Sequence, residues 1–317
     1  MIAVTGEALI DLVIDPDGEI RALPGGGPFN TARTIGRLGL APGYIGPLSA
    51  DSFGRTLRAC LQEAGATALV PEPADAPTTL AVVEEESPGK LRYRFYLAGT
   101  SASALEYEPL AAALPPGLTA LHIGSLALVM EPIASSIERL VLDDVQDETL
   151  VMIDPNCRPH AITDHHAYRA RLKRILSRAD VVKASTEDLA YLCPDTPTPA
   201  AAASLLGQGP DLVLVTDGPR AALAYLPGQE ISVDVPDVPV VDTIGAGDAF
   251  GGAFLAWWTG NNFDRSQLHR TSAIRDAMLL AAETAALTCT RAGAEPPWLS
   301  ELPVPPSWAT SGWGFAP

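Results

Sequence analysis

Asp242-Thr243-Ile244-Gly245-Ala246-Gly247-Asp248-Ala249-Phe250 is the stretch on which the reading of this chain turns. A β-branched segment, Val238 to Val241, enters it, and an apolar run, Ala249 to Trp258, leaves it. The pattern predicts strand or extended chain, a glycine turn, then a helix start. Gly245 and Gly247 lack a Cβ, so the turn can tighten and its N–H groups can converge on one point. The first turn of a helix leaves more donors unpaired, and its dipole adds partial positive charge. Such a site takes a phosphate or a developing anion. A carboxylate at Asp248 repels phosphate; it makes sense there if it accepts a proton from a hydroxyl that attacks phosphorus. In isolation, G-x-G-D reads as an N-capping aspartate after a strand.

A second stretch, Pro24-Gly25-Gly26-Gly27-Pro28-Phe29-Asn30-Thr31-Ala32, also stands out. Its glycines let a ligand approach the backbone, and Thr31 to Leu40 has helical spacing through Ala32, Ile35 and Leu38. Asn30 falls in the first turn, with a side chain that can donate to and accept from a sugar hydroxyl.

The two stretches together resemble the signatures of the ribokinase-like (PfkB) sugar kinases, D-T-x-G-A-G-D and G-G-x-x-x-N-x-A, in the family's order. The resemblance implies one α/β domain over residues 1–317, a doubly wound, mostly parallel sheet flanked by helices, with a small β lid. It also implies transfer of the γ-phosphoryl group of ATP to a primary hydroxyl of a sugar or sugar acid. Asp248 would be the base, and the N–H groups of Gly245, Ala246, Gly247 and Asp248 would hold the phosphoryl oxygens. Gly25, Gly26 and Asn30 fall on the sugar side. Gly27-Pro28 stands where ribokinases proper carry Lys-Gly, which argues against a pentose-specific enzyme.

The rest of the chain fits that frame. Met1 to Thr5 reads as a buried strand, and Asp11 sits where an inward carboxylate could bind a polyol or merely be solvated. Asp15-Pro16-Asp17-Gly18 is a turn between extended pieces. Leu80–Glu84 and Leu91–Tyr96 alternate around Ser87-Pro88-Gly89-Lys90, as in a hairpin. Segments of about 12–22 and 80–100 would form the lid, with Arg94 and Tyr96 on one face, against either sugar or solvent. Leu118–Gly124 and Leu150–Ile153 flank a helical segment, Pro132–Val145, as in a β-α-β unit. Asp154-Pro155-Asn156-Cys157-Arg158-Pro159 resembles the D-P-N-x-R-P of fructokinases and ketodeoxygluconate kinases, making Asn156 and Arg158 sugar-side candidates.

Asp180–Lys183 reads as a strand running into Ser185-Thr186-Glu187-Asp188. By the resemblance, Lys183 and Ser185 belong to the nucleotide side, and Asp188 to the water network of a Mg²⁺ ion. Ser185-x-x-Asp188 is also a capping box. Thr216 and Gly218 match the family's nucleotide loop, and Asp242 and Ile244 its monovalent-cation positions, where K⁺ would bind. Thr290-Arg291-Ala292-Gly293-Ala294 follows the last long helix, about Ala273–Cys289. Ala282 stands where many members have asparagine, so no adenine bond is assigned there. Residues 296–317 form a proline-rich tail, expected as a surface strap or as partly loose chain.

Composition narrows the classes. The chain has 317 residues and a net charge of −17, which argues against nucleic acid or an anionic membrane as partner. Its four cysteines show no C-x-x-C pair and no zinc spacing. No basic n-region opens the chain, and Glu7 and Asp11 interrupt its first apolar stretch, so a cytoplasmic location is expected. The family often dimerises through the lid, which implies a homodimer. Two rivals remain, a dinucleotide-dependent oxidoreductase and a non-catalytic sugar or nucleotide sensor. The first lacks G-x-G-x-x-G, and an intact Gly245, Gly247 and Asp248 weighs against the second. Among sugars the motifs favour fructose, then 2-keto-3-deoxygluconate, with nucleosides further off.

Overall fold

Leu150-Val151-Met152-Ile153 and Leu212-Val213-Leu214-Val215 are apolar at every position, as strands of a parallel sheet covered on both faces must be. The structure, a computed structural model, describes residues 1–14, 17–87, 90–304, 306 and 308. Asp15–Pro16 of the first expected turn, the Pro88–Gly89 hairpin tip and the end of the tail lie outside the described residues.

Among the described residues the strands run β1 (Ile2–Thr5), β2 (Leu9–Ile14), β3 (Ile20–Gly25), β4 (Gly43–Ile45), β5 (Thr67–Ala68), β6 (Thr79–Ser87) and β7 (Lys90–Tyr96). They continue as β8 (Ala120–Gly124), β9 (Leu150–Asp154), β10 (Val181–Ser185), β11 (Leu212–Thr216), β12 (Ala222–Leu226) and β13 (Gln229–Val233). Nine of them form the main sheet, in the order β13-β12-β11-β10-β9-β8-β1-β4-β5. Its pairs are parallel except those made by β12. From β1 the chain builds outward to β4 and β5, then returns to β8 on the other side. Strand order therefore reverses at β1, and ligands of such sheets gather outside the carboxyl ends at that point.

Helices cover both faces. Gly27–Arg37, Ala246–Gly260 and Thr271–Cys289 bury Phe29, Ile35, Phe254, Trp258 and Met278 on one side. Ile137, Leu172, Ile175 and Leu205 fill the other. The first helix begins at Gly27, four residues before the expected Thr31, because Pro28 is suited to a first helical turn and Gly26 enters it at φ 110°. It stops at Arg37, short of Leu40, with Gly39 at φ 88° behind it.

The small sheet has the order β3-β2-β6-β7. Its strands lie between Leu9 and Gly25 and between Thr79 and Tyr96, the first segment reaching three residues beyond the expected 12–22 at each end and the second stopping short of residue 100. Register places Asp11 opposite Leu23 and Ala81, Ala81 opposite Phe95, and Val83 opposite Tyr93. These residues share one face.

Of the two forms expected for the approach to the glycine turn, strand or extended chain, the structure has no strand at Val238–Val241, and residues 234–240 carry no regular structure. Pro236 and Pro239 lack the N–H groups a ladder needs, and Val240 and Val241 are left exposed. The approach to the glycine turn is held instead by Val241 N and Asp242 N, which donate to Cys289 O.

Candidate active site

The glycine turn and the helix it starts are the base of the site. Gly245 is the N-cap of the Ala246–Gly260 helix, in the left-handed region at φ 79°, and no side chain caps the helix. Ala246 N donates to Thr243 O at 3.3 Å, and the N–H groups of Gly247 and Asp248 stay available to a ligand. A Cβ on Gly245 would collide with Ala294, whose Cα would lie 2.9 Å away. Asp242 fixes the turn from the other side: Oδ1 accepts from Ile244 N at 3.0 Å and Oδ2 from Gly293 N at 2.8 Å.

Asp248 lies in the first turn of this helix and does not cap it. Its Oδ2 accepts from Asn30 Nδ2 at 2.9 Å. Only 8% of it is exposed, and burial raises its proton affinity against the hydrogen bond from Asn30 and the charges of Lys183 and Arg158. Close packing brings Asn30 there: a Cβ on Gly252 would lie 2.9 Å from Thr34 Cβ, so glycine lets the two helices approach. Asn30 Oδ1 is buried with no hydrogen-bond partner, an acceptor aimed at nothing within the protein.

Asp11 stands across the cleft. Its carboxylate fills the space where a Gly25 side chain would be, so Gly25 must be glycine for Asp11 to point inward. Burial, then the like charge of Asp248, pushes Asp11 up to about 7, with Arg158 opposing. A folded-state pKa raised from 3.8 means that the folded protein holds this proton more tightly than the unfolded chain. Its contribution to stability is complete below the unfolded value and is lost as pH rises through about 7. Asp11→Asn should therefore gain in Tm over the wild type at pH 8, with the gain shrinking toward pH 4. A Tm difference independent of pH would refute this.

Glu7, which the sequence shows only as a break in the first apolar stretch, ties together the chain after β1, β3 and β8. Its Oε1 accepts from Gly27 N at 3.1 Å and its Oε2 from Ala127 N at 3.0 Å. Burial pushes it up to about 7 against those bonds and one from Ser125. Ser125, at φ 61° after β8, receives Asn156 Nδ2 at 3.5 Å, so the ends of β1, β8 and β9 meet at the reversal of strand order. Arg158 is half-buried, and its Nη1 donates to Asn156 O and Cys157 O, each at 3.2 Å. Its charge acts on both Asp11 and Asp248. Gly26 enters the neighbouring helix beside Glu7 O.

The structure does not bring Arg94 and Tyr96 onto this cleft. They alternate with Tyr93 and Phe95 along β7, are exposed, and lie on the face opposite Asp11. Tyr93, whose ring stacks on Phe95 at 6.0 Å, is the lid residue that faces the carboxylates, and their charges add to burial in raising its proton affinity. Strand parity against Asp11 is the signal that would have found it.

Of the residues expected on the nucleotide side, Ser185 and Thr216 are paired at the carboxyl ends of β10 and β11, with Gly218 exposed just beyond. Asp188 forms the capping box with Ser185, and its Oδ1 also accepts from Cys157 N at 2.6 Å. Its Oδ2 accepts from Ser185 N and Oγ. Both oxygens are thus engaged, and among the described residues no cluster of three or more metal-ligating side chains occurs. That donor set fits a cation carried on phosphates through water, not one caged by protein. The carboxylate of Asp242 is likewise committed to backbone N–H groups, which leaves the carbonyls of Asp242 and Ile244 for a monovalent ion. Lys183 is buried beside Gly247 and bonds Asp154.

Known proteins share the chain's sequence pattern and its fold. The sequence model of the pfkB family carbohydrate kinases matches residues 1–301. The chain is 35% identical over 264 residues to a fructokinase of Rhizobium leguminosarum bv. trifolii, covering 81% of this chain and 79% of that one. It is similar in structure to the fructokinase of Xylella fastidiosa with bound ATP, with a TM-score of 0.84, 29% identity and coverage of 95% and 96%. A Vibrio cholerae fructokinase variant with fructose, ADP and potassium bound aligns with a TM-score of 0.81, 28% identity and coverage of 92% and 93%. No described helix is long and apolar enough to cross a membrane.

Proposed function

The chain belongs to the pfkB family of carbohydrate kinases, and from that membership we propose that it is an ATP-dependent fructokinase, acting on a primary hydroxyl of fructose. One observation carries the reading: a buried Asp248 in the first turn of an uncapped helix, bonded to an Asn30 that has an unused acceptor. Asp248 takes the hydroxyl proton as the oxygen attacks the γ-phosphorus. The N–H groups of residues 245–248 hold the phosphoryl oxygens as charge moves onto the leaving diphosphate. Asn30, Asp11 and Asn156 orient the sugar, and Arg158 offsets the carboxylates around it. Bound Mg²⁺ would neutralise charge on the β and γ phosphates, with Asp188 and its partners ordering the waters. K⁺, if used, would sit on the carbonyls of Asp242 and Ile244. Closure of the small sheet over the sugar would exclude water.

A coupled assay of ADP formation over fructose, 2-keto-3-deoxygluconate and nucleosides tests the proposal. Fructose should give the highest kcat/KM; ADP formation that depends on none of them would overturn it. Asp11→Ala should raise sugar KM by about 5–150-fold, equivalent to roughly 1–3 kcal/mol for a hydroxyl left unpaired, and leave ATP KM nearly unchanged. Equal changes in both constants would assign Asp11 to folding.

This reading includes a cytoplasmic homodimer joined through the small sheet. Ile20 and Tyr96 support it: they share that sheet's outer face, 63% and 53% exposed. Sedimentation of the wild type and of Ile20→Glu should give a dimer and a monomer respectively.

A further inference from the structure

A charged pair lies under the glycine turn, out of reach of solvent. We infer that Lys183 is a positioning residue for phosphoryl transfer, acting from beneath Gly247 and Asp248 with Asp154 as its anchor. The inference rests on the reading of Asp248 as the base.

Lys183 and Asp154 lie side by side on β10 and β9, 3% exposed each, with Nζ 2.8 Å from Oδ2. Asp154 is itself held, since its Oδ1 accepts from Asn156 N at 3.1 Å. A Cβ on Gly247 would lie only 2.7 Å from Lys183 Nζ. The ammonium therefore sits against the second residue of the helix. Burial works against its charge, but the carboxylates of Asp154 and Asp188 outweigh it and keep Lys183 protonated. His122, on the neighbouring β8, stays neutral, because burial and then Lys183 push its pKa down to about 3.

Two arguments take the pair beyond packing. A buried ion pair is a poor stabiliser, since desolving its charges offsets their attraction, and apolar replacements are often as stable. The site also gathers Asp11, Asp154, Asp188, Asp242 and Asp248, and a phosphoryl group adds more negative charge. An ammonium behind the turn, in a region of low dielectric, favours that charge and opposes the rise in proton affinity that burial causes at Asp248. Its Nζ is buried, bonded to Asp154 and set against Gly247, which suits action through the turn better than direct contact with phosphate.

The test uses Lys183→Met alone and together with Asp154→Asn. The single variant strands a buried carboxylate and should lose Tm; the double variant should regain it. Turnover of the double variant should stay low, on the order of 10²-fold below wild type by analogy with lost anion-hole donors, with sugar KM little changed. Turnover that returns along with Tm would make the pair structural only and overturn the inference. If neither Lys183 variant folds, Asp154→Asn alone carries the test, because Asp188 and Asp248 still balance the ammonium. Lower turnover at unchanged KM values then supports the role, and unchanged turnover refutes it. A wild type without sugar-dependent ADP formation overturns the kinase reading as well, whereas an active wild type with a restored double variant overturns the Lys183 role by itself.

Discussion

Asp248→Asn is expected to lower turnover by about two to four orders of magnitude while nucleotide binding survives. The substitution keeps size and the contact with Asn30, whose Nδ2 can still donate to the remaining oxygen. It removes the group that accepts the sugar proton. It also removes a negative charge beside the γ-phosphate, so ATP should bind as well or better. A capping role would predict little change, since Asn caps helices about as well as Asp. That alternative has lost its footing, because Gly245 is the N-cap and the Asp248 carboxylate caps nothing. kcat and ATP affinity of this one variant decide the matter, and near wild-type turnover would refute the mechanism.

Gly245→Ala should have the next largest effect, a loss of about 10²-fold or more in kcat. Two costs combine there. A side chain in the left-handed region costs on the order of 1–2 kcal/mol, and the new Cβ would strike Ala294. Relief of that collision moves the turn and the N–H groups it presents. Gly228→Ala is the control: its φ of 71° carries the same backbone cost, but nothing lies within 4 Å of the added Cβ. Both variants should lose Tm from strain, Gly245→Ala the more because of the collision, and only Gly245→Ala should lose turnover. Equal kinetics in the two would show that anion-hole geometry is not limiting.

The sequence by itself determined what is local. A glycine turn, a helix start and an acid in the first turn are set by residues within a few positions of one another, so 245–248 could be read directly. Gly25 to Asn30 was legible for the same reason, although Pro28 moved the helix start. The apolar strands fixed a covered parallel sheet, because only such a sheet buries every side chain of Leu150–Ile153. Tertiary structure decided what depends on register. Asp11 and Tyr93 face the cleft while Arg94 and Tyr96 do not, because pairing along β2, β6 and β7 sets the parity of each side chain. The Lys183–Asp154 pair joins residues 29 positions apart, and the Asn30–Asp248 bond spans 218. Such contacts follow from strand order and helix packing, which no neighbouring residue encodes. The same holds for Asp188, whose oxygens are engaged by Ser185 and by a loop from another strand. Chemistry was written in short motifs; which charges stand beside it was decided by the order of strands in the sheet.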